Sequence, residues 1–163
     1  MSKLYAKNMS RVLLIFVFIS VVYPHQIEAS GLELKITEYK NHYDAGSNVG
    51  ITVLIKNTGP DEIILPALFI PEDYYIRFII EDSNRKKAVF IGTEYKLIRS
   101  EFDLYRIKPG VFVGQELNLN EYYNIQQGSY RVYAIFEIKE NRRNEKQAWV
   151  GSLISNEINF IVQ

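Results

Sequence analysis

The sequence predicts an all-β fold, a single β-sandwich following an export signal, and three observations carry that prediction. Apolar residues alternate with polar ones through most of the chain, the period of a half-buried strand. Helical spacing is scarce. Gly, Pro, Asn and Asp clusters recur between the alternating runs at fairly even intervals, as turns between short strands require.

The chain opens with Lys3, Lys7 and Arg11, then an apolar run over residues 12–23, then Ile27-Glu28-Ala29. That order is the pattern of a cleavable signal peptide. The run is shorter than the roughly 20 apolar residues of a membrane-spanning helix. Residues 1–29 are therefore assigned as signal and 30–163 as the folded domain, which is of ordinary single-domain size. The expected location is secreted or periplasmic, with no stable membrane span after cleavage.

In the domain, Leu32, Leu34 and Ile36 face one way and Glu33, Lys35 and Thr37 the other. Residues 40–47 read as a turn, with Asp44 and Gly46 suited to a tight bend. Val49, Ile51, Val53 and Ile55 define a second strand, stopped at Asn57 by Gly59 and Pro60. Residues 62–65 form a short strand closed by Pro66, and 67–74 an irregular crossing between sheets. Ile76, Phe78 and Ile80 share a face of the next strand. Residues 82–85 supply a hairpin loop, and 87–91 return. The pattern weakens over 92–101, a long loop or ragged edge.

Phe102, Leu104 and Ile107 lead to a turn at Lys108-Pro109-Gly110, followed by a strand over 111–119. Residues 130–138 make the strongest strand, with Tyr130, Val132, Ala134 and Phe136 inward. Residues 140–147 are a charged loop. Trp149 follows it and is expected to plug the end of the core, since a lone large aromatic is usually mostly buried. Ile158, Phe160 and Val162 close the fold. About eight strands result.

Composition narrows the function. Lys and Arg number 19 and Asp and Glu also 19, so there is no electrostatic reason to expect nucleic acid as a partner. Cysteine is absent, which removes disulfides, thiolate chemistry and a lipobox, and leaves stability to the core.

Several segments together resemble bacterial extracytoplasmic immunoglobulin-like modules. They are Tyr43-x-x-Gly46, Ile55-Lys-Asn-Thr-Gly59, Ile107-Lys-Pro-Gly110, Gly128-Ser-Tyr-Arg-Val-Tyr-Ala134 and Ser155-Asn-Glu-Ile-Asn-Phe-Ile-Val162. Their order is similar to that in accessory immunoglobulin-like domains of secreted enzymes and in the BsuPI-type proteinase inhibitor. The resemblance implies a Greek-key, immunoglobulin-like sandwich used for binding or as a spacer, and transfers no catalytic residue. In such sandwiches a tyrosine opening a late strand often bonds backbone upstream, which would make residues 124–128 a corner for Tyr130.

Once the signal is removed, His42 is the sole histidine. Catalysis by His42 with Asp44 and Ser47 is the unfavoured reading, because a relay seldom forms within one turn. The acidic pairs Asp61-Glu62, Glu72-Asp73 and Glu81-Asp82 lack the alternating ligand pattern of a calcium loop. Hence no enzyme, metal or cofactor is expected. Arg142, Arg143 and Lys146 read as a solvated tip diluted by Glu140 and Glu145.

Tyrosines carry the remaining functional weight, since tyrosine is enriched where partners dock. Tyr105, Tyr122 and Tyr133 are the candidate binding residues. One ring of each pair Tyr74-Tyr75 and Tyr122-Tyr123 is expected outside. The expected function is a non-enzymatic module that binds a protein or cell-surface polymer. The rival is a proteinase inhibitor that inserts a loop, residues 40–47 or 95–100, into a protease cleft.

Overall fold

A computed structural model describes residues 31–66, 71, 75–92, 104–139 and 149–163. The signal, most of the crossing at 67–74, nearly all of the 92–101 loop and the charged loop at 140–147 lie outside the described residues.

Two sheets face each other. The first has the order β1–β3–β8, from Leu32–Glu38, Gly50–Asn57 and Phe112–Asn118, all antiparallel. The second is built on β10, Gly128–Ile138. One edge of β10 takes β5, Ile76–Asp82; the other takes β11, Gly151–Ile154, and β12, Ile158–Val162. β2, His42–Tyr43, lies parallel to β12 at that sheet's far edge. The first segment of the chain thus contributes β1 to one sheet and β2 to the other, in a β-sandwich. Two short ribbons flank it: β4, Ile63–Pro66, with β7, Leu104–Ile107, and β6, Val89–Phe90, with β9, Tyr123–Asn124.

The alternation decides what is buried. Ile36, Ile51, Val53 and Ile55 of the first sheet join Phe78, Ile80, Val132, Ala134, Phe136 and Phe160 of the second in one core. Trp149 is buried and stacks on Phe136 with centroids 5.9 Å apart, the expected plug.

Twelve strands appear among the described residues rather than about eight. β2, β6 and β9 have two residues each, too few to show a period. The return from the 82–85 turn also differs from a full hairpin. It pairs with β5 only at Glu81↔Lys87, with Ala88 N donating to Ile80 O. It then leaves for β9, where Phe90 packs edge-on against Tyr123 at 5.5 Å.

A bulge separates β11 from β12 along the same edge of β10. Ile154 pairs with Ile135 and Ile158 with Val132, so Ser155, Asn156 and Glu157 oppose only Tyr133 and Ala134. The extra residue is accommodated by side chains. Ser155 Oγ accepts from Ala134 N at 2.8 Å, while Asn156 accepts from Ile36 N and donates to Ile36 O, each at 2.9 Å. Asn156 so imitates a strand and stitches β1 to the opposite sheet.

The expected corner is present. Tyr130 Oη donates to Gln126 O at 3.0 Å and accepts from Gln126 N at 3.1 Å. Tyr130→Phe should therefore lower stability by about 1–2 kcal/mol, read as a shift in the denaturation midpoint; an unchanged midpoint would show that the bond adds nothing.

Candidate binding face

β10 turns Tyr130, Val132, Ala134 and Phe136 inward, so Arg131, Tyr133, Ile135 and Glu137 line the outer surface of its sheet. Register fixes their neighbours. Tyr133 lies opposite Ile79, Ile135 opposite both Arg77 and Ile154, and Arg131 opposite both Glu81 and Asn159. Ile79, Tyr133, Ile135 and Ile154 thus form a strip across three strands, half-buried except Ile154, which is 53% exposed.

A charged row bounds the strip. Arg131 Nη2 is 2.6 Å from Glu81 Oε2, and its Nη1 is 3.5 Å from Glu157. The hydrogen bonds it donates to Glu81, then the charge of that carboxylate, raise the guanidinium pKa above its ordinary value. Beyond this row lies an open depression of about 510 Å3, bordered by His42, Asp82, Arg85 and Asn159.

The three candidate tyrosines do not come together. Tyr133 stands in the strip. Tyr105 is exposed on β7, opposite Leu65 in a separate ribbon. Tyr122 caps the 3₁₀ turn Leu119–Glu121 and is half-buried against the core. One ring of the pair Tyr122-Tyr123 is expected outside, yet Tyr122 packs on the core and Tyr123 is buried; of the other pair, Tyr75 packs on the core and Tyr74 lies outside the described residues. The face rule fails at Tyr122 because that residue precedes β9 and follows the 3₁₀ turn, where strand alternation does not operate.

The polar candidates are dispersed. His42 is exposed with Nδ1 2.9 Å from Asn41 Oδ1. Asp44 O accepts from Ser47 N, while Ser47 Oγ is buried with no partner among the described residues. No hydrogen bond joins the three side chains into the relay that nucleophilic catalysis needs. Glu62 pairs with Arg106 at 3.6 Å, and Asp82 accepts from the amides of Asn84 and Lys86. Among the described residues no three His, Asp or Glu side chains converge as metal ligands, and no helix is long and apolar enough to cross a membrane. The 40–47 loop is held by β2 and by Ala45 N donating to Gln163 O; the 95–100 loop lies outside the described residues.

Sequence reasoning placed Tyr133 and Ile135 on the outer face but missed Ile79, Ile154 and the Arg131–Glu81 pair. The available signal was an isoleucine at outward parity in two strands; the pairing of those strands was not readable.

No protein-family model and no curated protein matches the chain. Among solved structures, it is similar to a CARDB domain from Pyrococcus furiosus, solved in complex with di-metal ions. Identity is 14% and the TM-score 0.40, covering 80% of this chain and 91% of that one. It is also similar to a beta-glucosidase from Listeria innocua in complex with glucose, at 13% identity and TM-score 0.36. That match covers 80% of this chain and 16% of the enzyme.

Proposed function

We propose that the chain is an exported, non-catalytic immunoglobulin-like module that binds a protein or cell-surface polymer through the outer face of the β10 sheet. The observation that carries this reading is the strip of Ile79, Tyr133, Ile135 and Ile154, edged by the Arg131 row. A sheet face turned to water ordinarily carries polar residues; here Ile79, Tyr133, Ile135 and Ile154 adjoin across three strands, between the outward charges of Arg77 and Glu137 on one side and Arg131 and Glu81 on the other. A central apolar patch with a tyrosine and a charged rim is the composition of a docking surface. Export rests on the basic start and short apolar run of residues 1–29.

The test is a photo-reactive residue placed at 133 in the full chain, expressed in its own host, with a second placed at Lys35 on the opposite sheet. A discrete adduct from 133 but not from 35, on a chain that begins at Ser30, is the expected result. With the adducted partner purified, Tyr133→Ala and Ile154→Ala should each weaken binding at least about tenfold, as anchor truncations do, and leave folding intact. His42→Ala should change nothing. Binding indifferent to residues 133 and 154, or a turnover abolished by His42→Ala, overturns the reading.

A further inference from the structure

Every strand edge must satisfy its backbone groups or defend them. The outer edge of β1 receives the Asn156 clamp at Ile36. The outer edge of β5 receives Lys87 and Ala88, and β12 is covered by β2 and Asn41. β8 is treated differently.

Its hydrogen-bonding parity follows from the two ends of the β3–β8 ladder. Asn57 N donates to Val111 O and Leu119 N to Val49 O. With the register of Gly50 on Asn118, the odd-numbered residues Val113, Gln115 and Leu117 bond to β3. Phe112, Gly114 and Glu116 therefore direct their N–H and C=O groups away from it. Among the described residues these groups meet no partner strand. The strand has no proline or lysine, and its one charged side chain is Glu116. Instead it presents Phe112, 63% exposed, beside Val111, 45% exposed.

Charge is distributed unevenly along this edge. Lys56, opposite Phe112, and Lys108 are exposed at its start; Glu116 and Glu121 are exposed toward its end. A strand with a positive start and a negative end is complementary to itself when reversed.

We propose that β8 is a self-association edge, on which a second copy of this chain adds its own β8 antiparallel about a two-fold axis through Gly114. In that register Phe112 pairs with the partner subunit's Glu116, bringing Lys56 toward that carboxylate. The two Glu116 side chains stay roughly 13 Å apart along the strands. Gly114 at the axis has no side chain to hinder the approach. The two three-stranded sheets become one of six, leaving the outer faces of both β10 sheets accessible. The pairing is isologous and closes on itself.

Sedimentation equilibrium and amide hydrogen exchange of the purified chain, each over a range of concentration, test this. The expected result is a monomer–dimer equilibrium that Glu116→Lys weakens at least about tenfold by placing like charges together. Adding Lys56→Glu to that variant should recover most of the loss. Exchange at Phe112, Gly114 and Glu116 should slow at least about tenfold as dimer forms, while Val113, Gln115 and Leu117 stay unchanged. A chain monomeric to about 1 mM, or a dimer in which those three amides exchange as in the monomer, overturns the proposal. Glu116 is exposed and its backbone lies outside the β3 ladder, but its carboxylate meets the Tyr39 hydroxyl; Tyr39→Phe, which removes that contact and keeps the charge, should leave the dimer intact, and a dimer lost in Tyr39→Phe as in Glu116→Lys overturns the proposal.

Discussion

Phe136→Ala should cost about 3–5 kcal/mol, the usual penalty for removing a large buried aromatic, a large share of the roughly 5–15 kcal/mol that holds a domain folded. Phe136 is fully buried on β10, between Ile76 of β5 and Leu153 of β11 in register. Trp149 stacks on it at 5.9 Å and Tyr75 tilts against it at 6.3 Å. Removing the ring would thus undercut Trp149 as well, and the backbone is pinned by strands on both sides, so the site cannot collapse. Ile135→Ala, one residue away, removes a half-buried side chain from the outer strip and should cost about 1 kcal/mol or less. Chemical denaturation of the two variants makes the comparison. If Ile135→Ala proved the costlier, every facing on β10 would be reversed, because a slip of one residue exchanges the two faces.

The contrast shows what alternation reveals. For β1, β3, β5, β10 and β12 the inward residues read from the sequence are the buried ones, since a period of two and one apolar face are enough to orient a strand. The Tyr130 corner was also readable, because its requirement is local: a tyrosine at a strand start and a chain bend four residues earlier. Pairings between distant segments were not. The clamp of Asn156 on Ile36 spans 120 positions and leaves no trace in either neighbourhood. β2 has two residues and is a strand only because β12 lies alongside. The strip around Tyr133 depends on the same kind of information. Ile79 and Ile154 belong to it through registers that no local pattern encodes, whereas Tyr105 and Tyr122 share its chemistry and sit elsewhere.

Asn57→Ala should cost about 3 kcal/mol although it removes only a small amide. The sequence marks Asn57 as the end of a strand before Gly59 and Pro60; the structure makes it the knot of that end. Its side chain is fully buried. Nδ2 donates to Asp61 O at 2.7 Å and to Ile107 O at 2.8 Å, while Oδ1 accepts from Gly59 N at 2.9 Å. All three partners are backbone groups, so one amide ties the β3 end, the turn after it and the end of β7 together. An orphaned buried backbone group costs about 1–3 kcal/mol; the three are coupled, and relaxation of the turn offsets part of their sum. Thr58→Ala, at the exposed next position, should stay within about 0.5 kcal/mol of the parent. Asn57→Asp sharpens the test, because the carboxylate keeps the acceptor but loses the donors and sets a buried charge against two carbonyl oxygens. Its pKa in the folded protein must then lie above the unfolded value of about 3.9. The folded state binds the proton more tightly, so this variant is least destabilised below that pH and loses stability as pH rises toward the folded pKa. Urea midpoints across pH, compared with the parent, give the answer. An Asn57→Asp variant whose deficit against the parent is the same at all pH would mean that Asn57 is not enclosed by those carbonyls.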